Sequence, residues 1–282
     1  MEIIHTISAL KAILKPFKQA VSKIALVPTM GALHNGHLSL IAIAKANAEV
    51  VVCSIFVNPT QFTDPKDLEK YPRPLAHDIK MLTEAGCDFV FMPTVTEMYP
   101  SFPTPENWLI DLGPAEFVLE GEFRKGHYQG VTQIVKKLFD AVSPDVAFFG
   151  QKDFQQVLMI KNMVRHFNLP IEIVSCPIIR EDDGLAMSSR NIHLSHDDRM
   201  NALVLSKALK FVADNYKKLK LKDLLTEAKQ MINDTNGVEL DYFTIAHDDT
   251  LLPIEHEEKG SVVALVAAKV GETRLIDNML LG

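Results

Sequence analysis

Residues 28–38 read Pro-Thr-Met-Gly-Ala-Leu-His-Asn-Gly-His-Leu, and their types and spacing suit the handling of phosphate. An apolar stretch, 24–27, runs into this string, and an alanine-rich helical pattern, 38–48, runs out of it. Two glycines and two histidines therefore sit on a strand-to-helix turn. Such a turn offers an anion backbone N–H groups and the positive end of a helix. Gly31 and Gly36 permit close backbone approach and positive φ. His34 and His37, three residues apart at the mouth of the helix, can share one face and donate hydrogen bonds to phosphate oxygens. The same pair could bind a metal or cap the helix, but no Cys, Asp or Glu lies within five residues to complete a metal site.

Three further clusters carry chemistry. In Ser54-Ile55-Phe56-Val57-Asn58-Pro59-Thr60-Gln61-Phe62 an apolar run ends at a proline-stiffened turn. Asn58 and Gln61 there present two amides, which suit a neutral, hydroxyl-bearing substrate; Asn58 could instead make an Asx-type turn. In Phe149-Gly150-Gln151-Lys152-Asp153-Phe154-Gln155-Gln156 a strand again meets a glycine and a polar helix start. Lys152 is a point charge able to reach a phosphate. Asp153 could cap the helix, and Gln156, one turn further in, could face the same ligand. The run 180–191, Arg-Glu-Asp-Asp-Gly-Leu-Ala-Met-Ser-Ser-Arg-Asn, sets Ser188, Ser189 and Arg190 on a glycine-hinged loop. Two hydroxyls and a guanidinium are phosphate donors, and Arg190 can bind a β- or γ-phosphate bidentately. Asp182 and Asp183 read as a solvated turn.

The elements that must position these residues follow from periodicity. Continuous apolar runs at 24–27, 50–57, 89–92, 146–149 and 171–174 suggest strands buried on both faces. Helix-period segments lie between them at 38–48, 75–85, 131–142 and 154–167. Alternating β and α elements imply a Rossmann-like, doubly wound parallel sheet, with ligands at the carboxyl ends of its strands. Residues 93–114 are irregular and proline-containing, a candidate lid or oligomer contact. After about residue 180 the texture changes. Two lysine-rich amphipathic helices, 197–219 and 221–233, precede strand patterns at 239–246, 261–270 and 274–280. The expected organisation is α/β over 1–178, holding nucleotide and substrate, with a smaller C-terminal α+β domain over 179–282. The lysines at 207–222 read as a solvated helix face.

Bulk properties exclude several classes. With 282 residues, 47% apolar and 23% charged, the chain is an ordinary globular one. A net charge of −7 argues against nucleic acid as a partner. Cys53, Cys87 and Cys176 are odd in number and far apart, and read as buried thiols rather than a disulfide framework. No signal-peptide pattern or membrane-length apolar run is present, so the expected setting is cytoplasmic, without a membrane partner.

Seven strings, in order, resemble one family. PTMGALHNGH carries the HxGH signature of a nucleotidyltransferase superfamily, and its full length resembles the pantothenate synthetases (pantoate–β-alanine ligases). SIFVNPTQF, YPRP with Asp78, LEGEFRKGHY, GQKDFQQ, REDDGLAMSSRN and RLIDN match the same family. Departures are Gln151 in place of a usual glutamate, His77 where an acidic residue is common, and Lys125 and Tyr128. The resemblance implies ATP-dependent condensation of pantoate with β-alanine through an acyl adenylate, by a homodimer using Mg²⁺. It implies catalytic roles for His34, His37, Lys152, Ser188, Ser189 and Arg190. It sets Met30, Gly31, Gly36, Gly150, Asp153, Ile179 and Met187 along the nucleotide. Gln61, Gln156 and Asn58 fall to pantoate, Arg124 to a substrate carboxylate and Asp78 to magnesium. RLIDN reads as packing of the second domain. The rival readings are a nucleotidylyltransferase acting on a phosphorylated acceptor, and a nucleotide-sensing binding module.

Overall fold

The computed structural model describes residues 1–62, 65–256 and 260–281. They divide into two compact units: Met1–Gly150 with Gln156–Cys176, and Gln151–Gln155 with Pro177–Gly282. Among the described residues, no helix is long and apolar enough to cross a membrane.

The first unit is built on a six-stranded parallel sheet. Its strands are β1 (Glu2–Ile4), β2 (Ile24–Thr29), β3 (Val50–Ile55), β4 (Phe89–Phe91), β5 (Val146–Gly150) and β6 (Glu172–Cys176). They lie in the order β1-β4-β3-β2-β5-β6. The order reverses beside β2, whose neighbours are β3 and β5. This is the switch point at which doubly wound sheets leave a crevice at their carboxyl ends. The turn after β2 and Gly150 at the end of β5 are the two chain segments there.

The central strands form where they do because their apolar runs have no polar face to give to water. Ile24 to Val27 and Val50 to Cys53 are each at most 3% exposed. Helices α2 (Asn35–Asn47), α4 (Leu75–Glu84), α7 (His127–Val142) and α8 (Phe154–His166) alternate with them. These elements match the sequence pattern, with α7 beginning four residues before the expected 131. Among the elements not read from sequence are β1, α1 (Ile7–Gln19) and the short α3 (Pro65–Lys70). β1 is three residues long with only Ile4 buried, too short for a periodic signal. α1 buries Leu10 and Leu14 and is capped by Thr6, but Pro16 inside it masks the pattern. The 93–114 segment holds only a short α5 (Val95–Met98) and a further short α6 (Glu120–Phe123) follows it.

The second unit packs α9 (His196–Asn215) and α10 (Leu221–Asn233) against an antiparallel sheet, β7 (Val238–His247), β8 (Val262–Val270) and β9 (Thr273–Leu281). β8, the middle strand, is buried along almost its whole length. Along β9 the alternation of buried and half-buried residues breaks at Asp277 and Asn278, where both neighbours are buried.

Phe148, 1% exposed in β5, is a core residue beneath the switch point. Phe148→Ala is expected to destabilise the chain by about 3–5 kcal/mol, the cost of a large core truncation, read from urea unfolding midpoints.

Candidate active site

The turn between β2 and α2 is held together by side chains that accept its backbone N–H groups. Gly31 N donates to Thr29 Oγ1 at 3.2 Å. Ala32 N donates to Asp78 Oδ2 at 2.9 Å, and Leu33 N to Asp78 Oδ1 at 2.8 Å. His34 N donates to His37 Nδ1 at 3.3 Å, and Gly36 N to His34 Nδ1 at 3.1 Å. The expectation that these N–H groups face a ligand is corrected by this geometry: the protein's own side chains occupy them. The His34 and His37 imidazoles stand at the mouth of α2. Each accepts at Nδ1, so a neutral ring carries its proton on Nε2 and donates there. The rings lie 4.1 Å apart between centroids. His34 is the cap residue of α2 and forms a reciprocal capping box with His37. The capping contacts use Nδ1 of each ring.

Positive φ falls on Gly31 (78°) and Ala32 (51°). Gly36, expected to share that role, lies instead in the first helical turn of α2. At Gly31 a Cβ would sit 2.9 Å from Asp78 Oδ2, so glycine here serves both conformation and close approach. Asp78 is 1% exposed. With both oxygens accepting N–H bonds, it does not fit the metal-ligand role expected from the resemblance. Among the described residues, no group of three or more His, Cys, Asp or Glu is placed to hold a metal ion.

The second cluster of this unit surrounds Gln61. Asn58 is 1% exposed, and its amide is consumed by the protein. Its Oδ1 accepts from Tyr99 Oη at 2.8 Å and Thr60 Oγ1 at 3.2 Å. Its Nδ2 donates to Gly130 O at 3.1 Å and Gln61 Oε1 at 3.2 Å. Asn58 makes no side-chain cap to the following 3₁₀ turn, so the Asx-turn alternative is not what forms. The substrate role expected for Asn58 becomes support for Gln61. Gln61 Nε2 in turn donates to Met30 Sδ at 3.0 Å. Helix α7 approaches so closely that a Cβ on Gly130 would lie 2.3 Å from Thr60 O, and only glycine fits. His127 Nδ1 hydrogen-bonds Gln61 O at 2.8 Å, and Arg124 Nη1 donates to His127 Nε2 at 3.0 Å. Arg124 is thereby oriented by the same cluster. Gln156 is half-buried on α8. Burial pushes the Tyr99 phenol up to about 12, so it remains a neutral donor to Asn58. Tyr99, Thr60 and His127 are the supporting residues that sequence reasoning missed. His127 stood within a matched string, but nothing in the sequence pointed to Tyr99.

The remaining candidates lie in the second unit. Lys152 is half-buried and Asp153 exposed in a short 3₁₀ turn, Gln151–Asp153. Residues 179–187 fold back on themselves: Arg180 bridges Ala186 antiparallel, and Met187 N donates to Ile179 O at 3.0 Å. Gly184, with φ of 95°, makes the tight end of this hairpin. Arg199 on α9 ties down Glu181 and Asp183 at 3.3 and 2.6 Å, so these acids are paired rather than simply solvated. Ser188 caps the following 3₁₀ turn, Ser189–His193, by accepting from Arg190 N at 3.3 Å. Asn191 Nδ2 donates to Ala186 O, fixing the loop to its own hairpin. Arg190 is exposed.

A doubly wound parallel sheet with polar, side-chain-braced loops at its switch point defines a Rossmann-like α/β enzyme with a small antiparallel second unit. The family model for pantoate–β-alanine ligase matches residues 2–280. The chain belongs to the pantoate–β-alanine ligase family of enzymes. It is 47% identical over 283 residues to a pantothenate synthetase of Bacteroides thetaiotaomicron, covering 99% of this chain and 98% of that one. Identity to the Acetivibrio thermocellus pantothenate synthetase is 46% over 287 residues, covering 99% of each. The crystal structure of the Thermus thermophilus pantothenate synthetase superposes with a TM-score of 0.92 at 39% identity, covering 99% of both chains. A Francisella tularensis pantoate–β-alanine ligase, solved in complex with β,γ-ATP and β-alanine, superposes with a TM-score of 0.79 at 35% identity, covering 99% and 97%.

Two outcomes follow from the braces. Asp78→Asn would turn an amide N–H₂ toward a backbone N–H, leaving buried donors unmatched. It is expected to lower stability by about 1–3 kcal/mol in urea unfolding. For Tyr99, the folded pKa near 12 lies above the ordinary value of 10.0. Its contribution is therefore complete below about pH 10 and is lost as pH rises toward 12. The stability difference between wild type and Tyr99→Phe should shrink across that window. The buried thiols Cys87 and Cys176, pushed up to about 11, titrate in both proteins and cancel.

Proposed function

We propose that the chain condenses (R)-pantoate with β-alanine at the expense of ATP, through an enzyme-bound pantoyl adenylate, giving pantothenate, AMP and pyrophosphate. The observation that carries this reading is the His34–His37 pair, fixed by its own capping box at the sheet's switch point. A relative that binds β,γ-ATP and β-alanine supports it.

In the first step a pantoate carboxylate oxygen attacks the α-phosphorus in line. The bond to the β-phosphate bridging oxygen breaks, and pyrophosphate leaves. Charge grows on the α-phosphate oxygens and on the leaving group. Donors fixed in advance at those positions stabilise the transition state without reorganising. His34, His37 and Lys152 take the phosphates; Ser188, Ser189 and Arg190 take the pyrophosphate end. Met30, Gly31, Gly36, Gly150, Asp153, Ile179 and Met187 line the nucleotide. Gln61 and Gln156 hold pantoate, and Arg124 a substrate carboxylate. In the second step the β-alanine amine attacks the acyl carbon. A C–N bond forms, the acyl C–O bond breaks, AMP leaves, and the amine proton passes to solvent. Magnesium accompanies ATP in this reading, and the Asp78 oxygens, both held by N–H groups, take no part in binding it.

The nucleotidylyltransferase rival is disfavoured by the Gln61 cluster. It presents a neutral amide braced by Asn58, with His127 and then Arg124 hydrogen-bonded in series behind the Gln61 carbonyl.

The test is AMP and pyrophosphate release from ATP with pantoate, with and without β-alanine. Multiple-turnover AMP release should need both substrates, and pantoate alone should support ATP–pyrophosphate exchange. Absence of that exchange sinks the acyl-adenylate reading. His37→Ala and Lys152→Ala should each slow exchange on the order of 10²–10³-fold. Gln61→Ala should raise the pantoate KM and leave the ATP KM nearly unchanged. Tyr99→Phe, acting through Asn58, should raise the pantoate KM roughly twofold to tenfold, the worth of one hydrogen bond.

A further inference from the structure

The C-terminal string Arg274-Leu275-Ile276-Asp277-Asn278 has no chemistry assigned to it, yet it places two buried polar residues side by side on an edge strand. Asn278 is 2% exposed and Asp277 4%. A strand that only packs would alternate, and the break at this pair needs polar partners on both sides.

The partners are the two loops that carry Lys152 and Arg190. Asn278 Nδ2 donates to Gln151 O at 3.0 Å and to Lys152 O at 2.9 Å. Its Oδ1 accepts from Gln151 Nε2 at 3.1 Å. One amide thus fixes both carbonyls around the Lys152 turn and the side chain before it. Asp277 makes a two-pronged pair with Arg180: Nη1 to Oδ2 at 2.6 Å and Nη2 to Oδ1 at 3.0 Å. Arg180 Nη1 also donates to Gly184 O at 3.1 Å, closing the hairpin that leads into Ser188. Asp277 Oδ1 further accepts from Asn278 N at 2.8 Å, so the two residues brace each other. Successive strand side chains point to opposite faces, which lets adjacent residues reach two separate loops.

We propose that Asp277 and Asn278 are positioning residues for adenylation. Asn278 sets the backbone turn that aims Lys152, and Asp277, through Arg180, sets the hairpin that ends in Ser188, Ser189 and Arg190. One dipeptide near the end of the chain thereby fixes both loops. The inference rests on the reading of those two loops as phosphate donors. Gln151 gains a role as well: its amide N–H₂ is the group that donates to Asn278 Oδ1.

The experiment is pantoate-dependent ATP–pyrophosphate exchange on the full chain, for Asn278→Ala, Asp277→Asn, Lys152→Ala and the double variant Lys152→Ala/Asn278→Ala, with thermal unfolding beside it. Asn278→Ala should lower the exchange kcat by about 10- to 100-fold, the cost of a small misplacement of a catalytic group. The pantoate KM should stay unchanged. In the Lys152→Ala background the same substitution should cost less than about threefold, because the side chain it aims is already gone. Asp277→Asn should raise the ATP KM and lower kcat. If Lys152→Ala exchanges at the wild-type rate, the phosphate reading itself fails. If Lys152→Ala is slow but Asn278→Ala is not, or its loss multiplies fully in the double variant, Asn278 is packing alone and the proposal is overturned. An Asn278→Ala chain that does not fold assigns that residue to stability and overturns its positioning role, and Asp277→Asn then decides for Asp277.

Discussion

A strand that feeds a helix through five residues must turn its backbone with several N–H groups pointing inward, where water cannot reach them. The turn after β2 meets this constraint with side chains: Thr29, Asp78, His37 and His34 accept the N–H groups of residues 31 to 34 and 36. Asp78 carries the largest share, since a buried carboxylate without both donors would be costly and with them is fixed. Gly31 has no Cβ because that carboxylate needs the space. The start of α2 and the setting of both imidazole rings follow from this one arrangement.

The same principle recurs around Gln61 and Lys152. In each case the group assigned to substrate is less deeply buried than the amide that holds it: Gln61 is 8% exposed against 1% for Asn58, and Lys152 is half-buried against 2% for Asn278. Asn58 and Asn278 each spend a whole amide on protein partners. A buried amide with every site satisfied has one orientation, and the residue it touches inherits that orientation. Partial satisfaction would cost more than an apolar side chain in the same place. Such networks therefore hold position well and tolerate substitution poorly.

Much of the fold was legible because it is written in short range. Apolar runs such as 50–57 declare strands buried on both faces, and their spacing with helical patterns declares the parallel sheet. β1 escaped because three residues carry no period, and α1 because Pro16 interrupts one. At the site, the residues assigned to substrate in the proposed reaction were legible as types: imidazole, lysine, hydroxyl, guanidinium. Their supports were not. Asp78 lies 45 and 46 residues from the N–H groups it accepts, and Asn278 lies 126 from Lys152. No periodicity links such partners, so Asp78 read as a metal ligand, Asn58 as a substrate contact and RLIDN as packing. Backbone N–H groups at a helix mouth read as an anion cradle, since sequence does not reveal which side chains have already taken them.

The donors also differ in charge between the two sets, and the difference has a physical sense. In the proposed reaction those of the first unit are imidazoles that accept backbone N–H bonds at Nδ1, and those of the second are an ammonium, a guanidinium and two hydroxyls. A neutral donor strengthens its hydrogen bond as charge grows on an oxygen, while adding little to the binding of the ground state. A cation attracts an anionic ligand from the start, at long range as well as in contact. Capture by cations and selective stabilisation by neutral, preoriented donors are separate tasks. Braces of this kind suit both, because they hold an imidazole ring in place as they hold a lysine's backbone.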